Sequence, residues 1–402
     1  MIRLSKRIQR VAPSPTLAIT ARAKAMKAEG IDIISFGAGE PDFDTPEEIC
    51  EAAKTAIDEG KTRYTPASGL AELRTAVADD YRRRNREVEA DEVIITVGGK
   101  QALFNATQVL FDAGEKVLIP APFWVSYPAQ LHLAGAEPVI LSTTREGDYK
   151  LQPSVLRGAL EKEEIRGLIL CSPSNPTGST YSAEELQDLA AVLADFPDVV
   201  VMYDAMYDRL YFDAEVAPDL VAVAPELDGR VLTFNGFSKT YSMTGWRLGY
   251  AIGPREVIKA MGTLQSQSTS NATSFVQYGA LEALRLDDAI LAERRAAFQR
   301  RRDLIVDALR SIDGVRCPMP SGAFYVFPDF SEFIDPAKSE EEGYFADDLR
   351  LTEFLLVDAK VAVVPGSAFG APGGLRLSYA MEDEQIREGV QRIKDALEKF
   401  RG

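Results

Sequence analysis

The stretch VLTFNGFSKTYSMTGWRLGY, residues 231–250, contains the features that decide the fold. Val231 to Phe234 form an apolar run of the kind found in buried strands, and Gly249 to Gly253 form another. The segment SKTYSMTGWRLGY, residues 238–250, places Lys239 just after the first of these predicted strands. In open α/β sheets, ligands bind outside the carboxyl ends of the strands. A single lysine in such a loop is usually only solvated, so the assignment of Lys239 to a binding site depends on its surroundings.

Outward from this stretch, short apolar runs alternate with helical patterns between Asp91 and Ile252. The helical patterns include residues 101–111 and 183–194, and Ser182 with Glu185 has the spacing of a capping box. Strands alternating with helices are typical of a mostly parallel sheet flanked by helices, which is an α/β fold. The other predicted strands are 93–97, 117–120, 138–141, 167–171 and 199–203.

The remainder of the chain has a different pattern. An Arg-rich helix is predicted from Asp287 to Ala308, followed by strands at 323–327 and 375–379. The run Ile33 to Phe36, which precedes GAGEPDFDTP, predicts a strand outside the main alternation. We therefore expect a smaller α+β domain built from the N-terminal segment and the C-terminal third. The predicted division is 1–45 for the N-terminal arm and part of the small domain, 46–290 for the large domain and 291–402 for the small domain.

Composition excludes several classes of function. Of 402 residues, 46% are hydrophobic and 26% are charged, a balance typical of a soluble globular chain. The formal net charge of −16 disfavours binding to nucleic acids and to anionic membranes. The longest apolar runs are too short to span a bilayer. Small-molecule partners are expected.

The cysteines and the one histidine narrow the chemistry further. Cys50, Cys171 and Cys317 form no CxxC pair, so neither a disulfide framework nor a four-ligand zinc site is expected. His132 is the only histidine, and this count excludes the HExxH and three-histidine zinc sites. It lies among apolar residues. We expect no metal and a reducing, cytoplasmic location.

Polar residues follow three further predicted strands. VMYDAMYD places Asp204 and Tyr207 after one strand, and CSPSNPTG places Asn175 after another. VGGKQALF places Gly98, Gly99 and Lys100 where a strand turns into a helix, and glycines at a helix start free backbone N–H groups to bind an anion. Arg247, eight residues after Lys239, is suited to hold a phosphate in the same cleft.

Together these segments carry a family resemblance. The chain contains GAGEPDFDTP, YTPASG, GGKQALF, PAPFWVSYP, SPSNPTG, YDAMYD, SKTYSMTGWRLGY, SGAFYVF and LRLSYA, in this order. This set resembles the fold-type I aminotransferases that use pyridoxal 5′-phosphate. Within them, it is similar to the bacterial aspartate aminotransferase subgroup that also contains prephenate aminotransferases. The resemblance extends from about residue 14 to residue 380, and it makes 46–290 the cofactor-binding domain.

The resemblance implies the catalytic roles. Lys239 would hold the cofactor covalently and later move a proton between the substrate and the cofactor, serving as anchor and as general acid and base. Asp204 would pair with the pyridine nitrogen and keep it protonated. Tyr207 and Asn175 would hydrogen-bond the oxygen on the cofactor ring.

The same resemblance implies further cofactor contacts. Trp124 would stack on the cofactor ring. Arg247 and the backbone amides of Gly99 and Lys100 would bind the phosphate. Tyr64 would reach that phosphate from the neighbouring subunit, which implies a homodimer with shared active sites.

A substrate site is implied as well. Arg376 in LRLSYA would hold the α-carboxylate with two parallel hydrogen bonds, and a backbone group of Gly39 would complete that pocket. Lys100 and Thr16 are associated in this subgroup with a second carboxylate, which favours a dicarboxylic amino acid. The implied substrate-binding set comprises Thr16, Gly39, Lys100, Trp124, Asn175 and Arg376.

Two positions depart from the family pattern. Many aminotransferases have a serine three residues before the lysine, where this chain has Gly236, and Asn235 or Ser238 is a candidate to supply the missing hydrogen bond. Prephenate-active relatives often have a lysine at the position of Ala12, so Ala12 weighs against prephenate as a substrate without excluding it.

The sequence therefore predicts an aspartate aminotransferase that transfers an amino group reversibly from L-aspartate to 2-oxoglutarate in two half-reactions. Prephenate aminotransferase, alone or combined with aspartate activity, is the first alternative. A lyase or a broad alanine-type transaminase on the same fold is the second, since the cofactor chemistry is shared. A non-catalytic regulator that binds the cofactor and DNA is disfavoured by the acidic charge.

Overall fold

A seven-stranded sheet with helices on both faces forms the centre of the molecule. The computed structural model describes residues 2–13, 15–339, 341 and 343–401. The strands among these residues are β1 (Ile34–Ser35), β2 (Val93–Thr96), β3 (Lys116–Ala121), β4 (Glu137–Ser142), β5 (Gly167–Cys171), β6 (Val200–Asp204), β7 (Val231–Gly236), β8 (Gly249–Ile252), β9 (Tyr325–Val326), β10 (Val361–Ala362), β11 (Val364–Pro365) and β12 (Leu375–Ser378).

The α-helices of the same residues range from one turn to 23 residues in length. They are α1 (Pro15–Ala28), α2 (Glu47–Asp58), α3 (Ala71–Arg82), α4 (Gly99–Leu110), α5 (Ser126–Ala134), α6 (Pro153–Lys162), α7 (Ala183–Ala194), α8 (Leu220–Val223), α9 (Arg255–Ser266), α10 (Ser274–Ala283), α11 (Asp288–Arg310), α12 (Asp348–Val357) and α13 (Asp383–Arg401).

The order of strands in the large sheet is β2-β8-β7-β6-β5-β3-β4. Neighbouring strands are parallel except at β8, which is antiparallel to both β2 and β7. The carboxyl ends of β5, β6 and β7 therefore meet at one edge of the sheet. This confirms the predicted mostly parallel sheet and places the ends of these three strands side by side.

Both faces of the sheet are buried except along the edge strand β4, where Ile140 is 42% exposed, and this burial explains the continuous apolar runs of the other strands. In β5 and β6, successive residues belong to different cores: Leu168 and Val201 pack with α6 and α7, whereas Ile169 and Met202 pack with α4, α5 and α9. Helix α7 begins as predicted, because Ser182 accepts the Glu185 N–H at 3.1 Å and Glu185 accepts the Ser182 N–H at 2.8 Å.

The N-terminal and C-terminal parts of the chain pack together. Strand β1 pairs in parallel with β10, and β11-β12-β9 form a small antiparallel sheet. Side chains of α11, α12 and α13 share a core with Phe36 and with the short strands. These contacts confirm the predicted α+β unit built from the N-terminal segment and the C-terminal third. The exact domain limits at 45/46 and 290/291 stay a prediction.

The predicted short strands of this unit are longer than the observed ones. The run 323–327 yields a strand only at Tyr325–Val326, because Ala323 has a positive φ of 57° that interrupts extended backbone. Among the described residues, no helix is long and apolar enough to cross a membrane.

Candidate active site

A cavity of about 690 Å³ opens at the carboxyl edge of the large sheet, where the N-terminal segment and β12 also reach it. Its lining residues follow β5, β6 and β7 and include the start of α4. Of the twelve residues predicted to form the site, the cavity brings together Thr16, Gly39, Gly99, Lys100, Trp124, Asn175, Asp204, Tyr207, Lys239, Arg247 and Arg376.

Lys239 lies three residues beyond the end of β7 and points its amine at the cavity. Its Nζ donates a hydrogen bond to the carbonyl oxygen of Gly39. Burial lowers the pKa of Lys239 to about 8, and the nearby cations Arg247 and Arg376 act in the same direction. An amine with this pKa has a substantial neutral, nucleophilic fraction near neutral pH.

Asp204 ends β6 and is 5% exposed. Burial raises the pKa of Asp204, whereas hydrogen bonds from Tyr127 and from the Met206 N–H lower it, as does the charge of Lys239. Tyr207 lies one turn further along, and its hydroxyl is 3.0 Å from that of Tyr325. Both hydroxyls are buried beside the cavity, where they are available to a polar group of a ligand.

Arg376 lies on β12 and is 3% exposed. Its Nη1 donates to Oδ1 of Asn175 at 3.1 Å, and its Nη2 donates to the Gly37 carbonyl at 2.9 Å. Burial lowers the pKa of this guanidinium, and none of the described carboxylates forms an ion pair with it. Since a buried guanidinium favours an anionic partner, this face of the cavity is suited to a carboxylate.

The start of α4 forms a tight cradle made of glycines. A Cβ added at Gly98 would lie 2.7 Å from Nη2 of Arg247, and one added at Gly99 would lie 2.3 Å from the Met206 side chain. Gly98 also has a φ of 80°. Glycine therefore lets the Arg247 guanidinium lie against the helix start, where first-turn N–H groups lack intrahelical acceptors. Guanidinium and amides together suit an anion such as a phosphate.

Lys100, Trp124 and Thr16 lie on other walls of the cavity. The Lys100 amine lies 4.8 Å from the centre of the Trp124 ring. Although much of the Lys100 side chain is exposed, partial desolvation and the charge of Arg247 lower its pKa. Within the described part of the chain, Lys100 forms no ion pair with a carboxylate.

Steric crowding explains why position 236 is a glycine and not a serine. A Cβ there would lie 2.9 Å from Gly249 Cα and 3.0 Å from the Leu248 carbonyl oxygen, so β7 and β8 leave no room for a serine. Asn235 is not oriented to replace it, because its amide donates to Tyr81 and to Asp208. Ser238 lines the cavity and is the better of the two candidates.

Tyr64 is the one predicted site residue that the cavity does not include. Its side chain is 90% exposed on the surface of the chain. Its predicted action from a neighbouring subunit stays a prediction. Ala12 is exposed and does not line the cavity either.

Sequence reasoning missed several residues that the fold brings to the cavity. Tyr127 donates to Oδ2 of Asp204 at 2.6 Å, and Cys171 lies beside Asp204 in the pairing of β5 and β6. Both stood in quoted motifs or predicted strands, but their spacing gave no sign of a contact between them. Among the described residues, no group of histidine, cysteine, aspartate and glutamate is arranged to hold a metal ion.

Comparison with known proteins decides the family. The model of the family described as aminotransferase class I and II matches residues 31–393. The chain belongs to this family. It is accordingly an aminotransferase, and its fold is that of the fold-type I transferases.

Similar proteins cover nearly the full chain of this aminotransferase. The aspartate/prephenate aminotransferase of Cereibacter sphaeroides is 47% identical, over 97% of this chain and 98% of its own. The probable aspartate/prephenate aminotransferase of Aquifex aeolicus is 45% identical, over 99% of both chains. The crystal structure of the aspartate aminotransferase from Rhizobium meliloti superposes with a TM-score of 0.93, at 41% identity and 99% coverage of both chains.

A second solved structure concerns a ligand. The aspartate aminotransferase from Thermus thermophilus with maleate has a TM-score of 0.91 and 41% identity, covering 98% of this chain and all of its own. Maleate is a dicarboxylate. That observation belongs to the Thermus protein.

Proposed function

We propose that this aminotransferase uses pyridoxal 5′-phosphate and transfers an amino group reversibly between L-aspartate and 2-oxoglutarate. The observation that carries the proposal is the meeting of Lys239, Asp204 and Arg376 in one cavity. These side chains supply an amine with lowered pKa, a buried carboxylate and a buried guanidinium that pairs with none of the carboxylates that the structure describes.

The residues present fit the cofactor. The glycine cradle at Gly98 and Gly99 together with Arg247 suits its phosphate, and Asp204 suits its ring nitrogen. Trp124 offers an aromatic face to the ring, and Tyr207 offers a hydroxyl to the ring oxygen. When bound, the cofactor supplies an aldehyde for the amine and a ring that accepts electrons.

The chain's own groups then have distinct tasks. The neutral amine of Lys239 attaches the cofactor and afterwards accepts or returns the proton at the substrate's α-carbon. The Asp204 carboxylate holds the proton on the ring nitrogen. Arg376, with Asn175 beside it, orients the substrate through its α-carboxylate, and the Gly39 backbone borders that pocket.

The preference for a dicarboxylic amino acid is supported by the charge of the cavity. Beyond Arg376, it presents Lys100 without an ion-pair partner among the described residues, and Thr16 lies on a wall of the same cavity. A second substrate carboxylate would neutralise Lys100 and accept hydrogen bonds there. A neutral amino acid would leave this cation unmatched.

We also propose that the enzyme is a cytoplasmic homodimer. Tyr64 is almost fully exposed in the single chain, which is consistent with a role in a partner's site. The three cysteines are free thiols, as expected in a reducing compartment. Sedimentation equilibrium tests the dimer, and a monomeric, active enzyme would contradict it.

The deciding experiment mixes the purified, cofactor-loaded enzyme with L-aspartate alone and records the cofactor absorption. We expect the aldehyde form to decrease and the amine form to appear, because one half-reaction needs no keto acid. L-Alanine serves as the neutral comparison and should convert the cofactor far more slowly. An unchanged spectrum with aspartate would reject aspartate as the donor.

The variant Lys239→Ala identifies the residue responsible. It should abolish turnover, because the same amine anchors the cofactor and moves the proton. Some cofactor binding should persist through Arg247 and Asp204, measured by absorbance after gel filtration. Normal steady-state turnover in this variant would contradict the assignment.

A second candidate function is combined aspartate and prephenate activity, which the names of the relatives from Cereibacter and Aquifex favour. Ala12 weighs against it, because it offers no charge and lies outside the cavity lining. Comparing rates with aspartate and arogenate as amino donors separates the two candidates.

A further inference from the structure

The carboxylate of Asp204 accepts hydrogen bonds from within the chain, and the Tyr127 hydroxyl is one of the donors. Tyr127 lies on α5, is 2% exposed and donates to Oδ2 of Asp204 at 2.6 Å. The other carboxylate oxygen, Oδ1, accepts the backbone N–H of Met206 at 3.2 Å. Each oxygen therefore has one fixed donor, which leaves little freedom of rotation about the carboxylate.

Tyr127 is itself fixed by its surroundings. Its ring packs edge to face on Trp124, with centroids 5.4 Å apart and an interplanar angle of 83°. Trp124 lies two residues before α5 and Tyr127 lies in its first turn, so the start of this helix places an aromatic face at the cavity and a hydroxyl at Asp204. A shift of this helix start would displace both groups together.

Because Asp204 is buried, the Tyr127 hydroxyl affects the pKa of its carboxyl group. Desolvation raises the pKa of Asp204, which favours the neutral acid, whereas the Tyr127 hydrogen bond lowers it. Cys171 lies next to Asp204, and burial together with the Asp204 charge raises the pKa of its thiol, so this neighbour stays uncharged. Of the two neighbouring side chains, Tyr127 is the one that donates a hydrogen bond to the Asp204 carboxylate, and this bond favours the charged form of Asp204.

We propose that Tyr127 is a positioning residue for Asp204, whose hydroxyl keeps the carboxylate charged and directed at the cofactor ring nitrogen. The inference rests on the proposed function, because it requires pyridoxal 5′-phosphate in the cavity. Tyr127 acts through Asp204 and takes no part in proton transfer at the substrate. Its loss should weaken every property that depends on the pairing of Asp204 with the ring.

The test compares Tyr127→Phe with the matched control Tyr203→Phe. Tyr203 lies on β6, is fully buried and donates its hydroxyl to the Pro218 carbonyl at 2.9 Å, away from the cavity. Both variants lose one hydrogen-bonded buried hydroxyl. A purely structural role for Tyr127 predicts the same outcome for both.

The first measurement is the dissociation constant of pyridoxal 5′-phosphate, obtained by titrating the apoenzyme. We expect a value about tenfold higher for Tyr127→Phe and an unchanged value for Tyr203→Phe, since hydrogen bonds to charged groups exceed neutral ones in strength. The second measurement is the pH dependence of the absorption of the bound cofactor. Its midpoint should shift in Tyr127→Phe and stay in place in Tyr203→Phe.

Asp204→Asn keeps the test valid even if stability changes. In the Asp204→Asn background, adding Tyr127→Phe should cause little further loss of cofactor affinity, because the two residues act as one unit. Additive losses would overturn the inference.

The results separate this inference from the proposed function. If the wild-type enzyme converts aspartate but Tyr127→Phe keeps wild-type cofactor affinity and pH profile, only the role of Tyr127 is wrong. If the wild-type apoenzyme fails to bind pyridoxal 5′-phosphate, the proposed function is wrong and the inference falls with it.

Discussion

Two buried arginines of this aminotransferase have similar surroundings and different partners. Arg301 on α11 is 4% exposed and Arg376 on β12 is 3% exposed. Each guanidinium lies beside two aromatic rings, Phe43 and Phe298 for Arg301 at 5.3 and 5.8 Å, and Tyr325 and Phe369 for Arg376 at 4.8 and 5.2 Å.

The difference lies in what each guanidinium holds. Arg301 binds both oxygens of Asp42, at 2.8 and 2.9 Å, and its Nε lies 3.5 Å from Oδ1 of Asp383, which it shares with Arg300. Among the described residues, the partners of Arg376 are two neutral oxygens, on Asn175 and Gly37, and the side chain faces the cavity. Arg301 therefore shows within this molecule the paired geometry that a substrate carboxylate would complete at Arg376. A buried arginine is structural where the chain supplies the anion, and is suited to binding where it does not.

The largest effect on stability is expected from Arg301→Ala. Removing the guanidinium leaves the part-buried Asp42 carboxylate without its counter-ion, which should lower the free energy of unfolding by about 3 kcal/mol. Urea denaturation measures this free energy of unfolding. The control is Arg300→Ala, which removes an exposed neighbour paired with Asp383 and should cost under about 1 kcal/mol. Equal losses of stability in both variants would contradict the structural role assigned to Arg301.

Arg376→Ala should act on binding. We expect kcat/KM to fall about 100-fold, or about 2.7 kcal/mol, for aspartate and glutamate alike, because every amino acid carries the α-carboxylate. Steady-state kinetics with both donors measures it. A loss confined to one donor would show that Arg376 does not bind the group they share.

Arg376→Lys sharpens the same point with a smaller change. Lysine keeps the positive charge and loses the planar fork, so about tenfold in kcat/KM should be lost, mainly through KM. Wild-type kinetics in this variant would mean that charge alone, without paired hydrogen bonds, is sufficient.

The smallest expected effect concerns another cation, Lys239, which differs from both arginines because it can lose its proton. Burial lowers its pKa to about 8, so its neutral fraction rises with pH. Capture of pyridoxal 5′-phosphate by the apoenzyme should accelerate about fivefold from pH 7 to pH 8 and less than twofold from pH 8 to pH 9. Stopped-flow absorbance measures the rate, and an acceleration that continues unchanged to pH 10 would place the pKa at its ordinary value.

The sequence allowed much of the fold and most of the candidate site to be predicted. Strands buried inside the sheet require apolar runs, and the partly exposed edge strand β4 has one as well, so β2 to β8 were recognisable within one or two residues at most ends. Asp204 directly followed its predicted strand, Asn175 and Lys239 came within five residues of the ends of theirs, and strand ends lie on the ligand-binding edge. Local spacing was enough there because each residue's position depended on its own strand.

Other features depended on contacts between distant segments. Nothing near Arg301 or Arg376 in the sequence distinguishes the arginine that meets Asp42 from the one that meets the cavity, since their partners lie 259 and 201 residues away. The Tyr127 hydroxyl reaches Asp204 across 77 residues. The closeness of β7 to β8, which requires Gly236, is likewise a property of the packed sheet.

The sequence by itself determined the α/β class, the strands and the side chains at their ends, because hydrophobic periodicity and strand direction are local properties. Only the tertiary structure decided which buried charges are paired and which face the cavity. The physical reason is that the cost of burying a charge depends on the groups that surround it in space, and the fold brings those groups from remote parts of the chain.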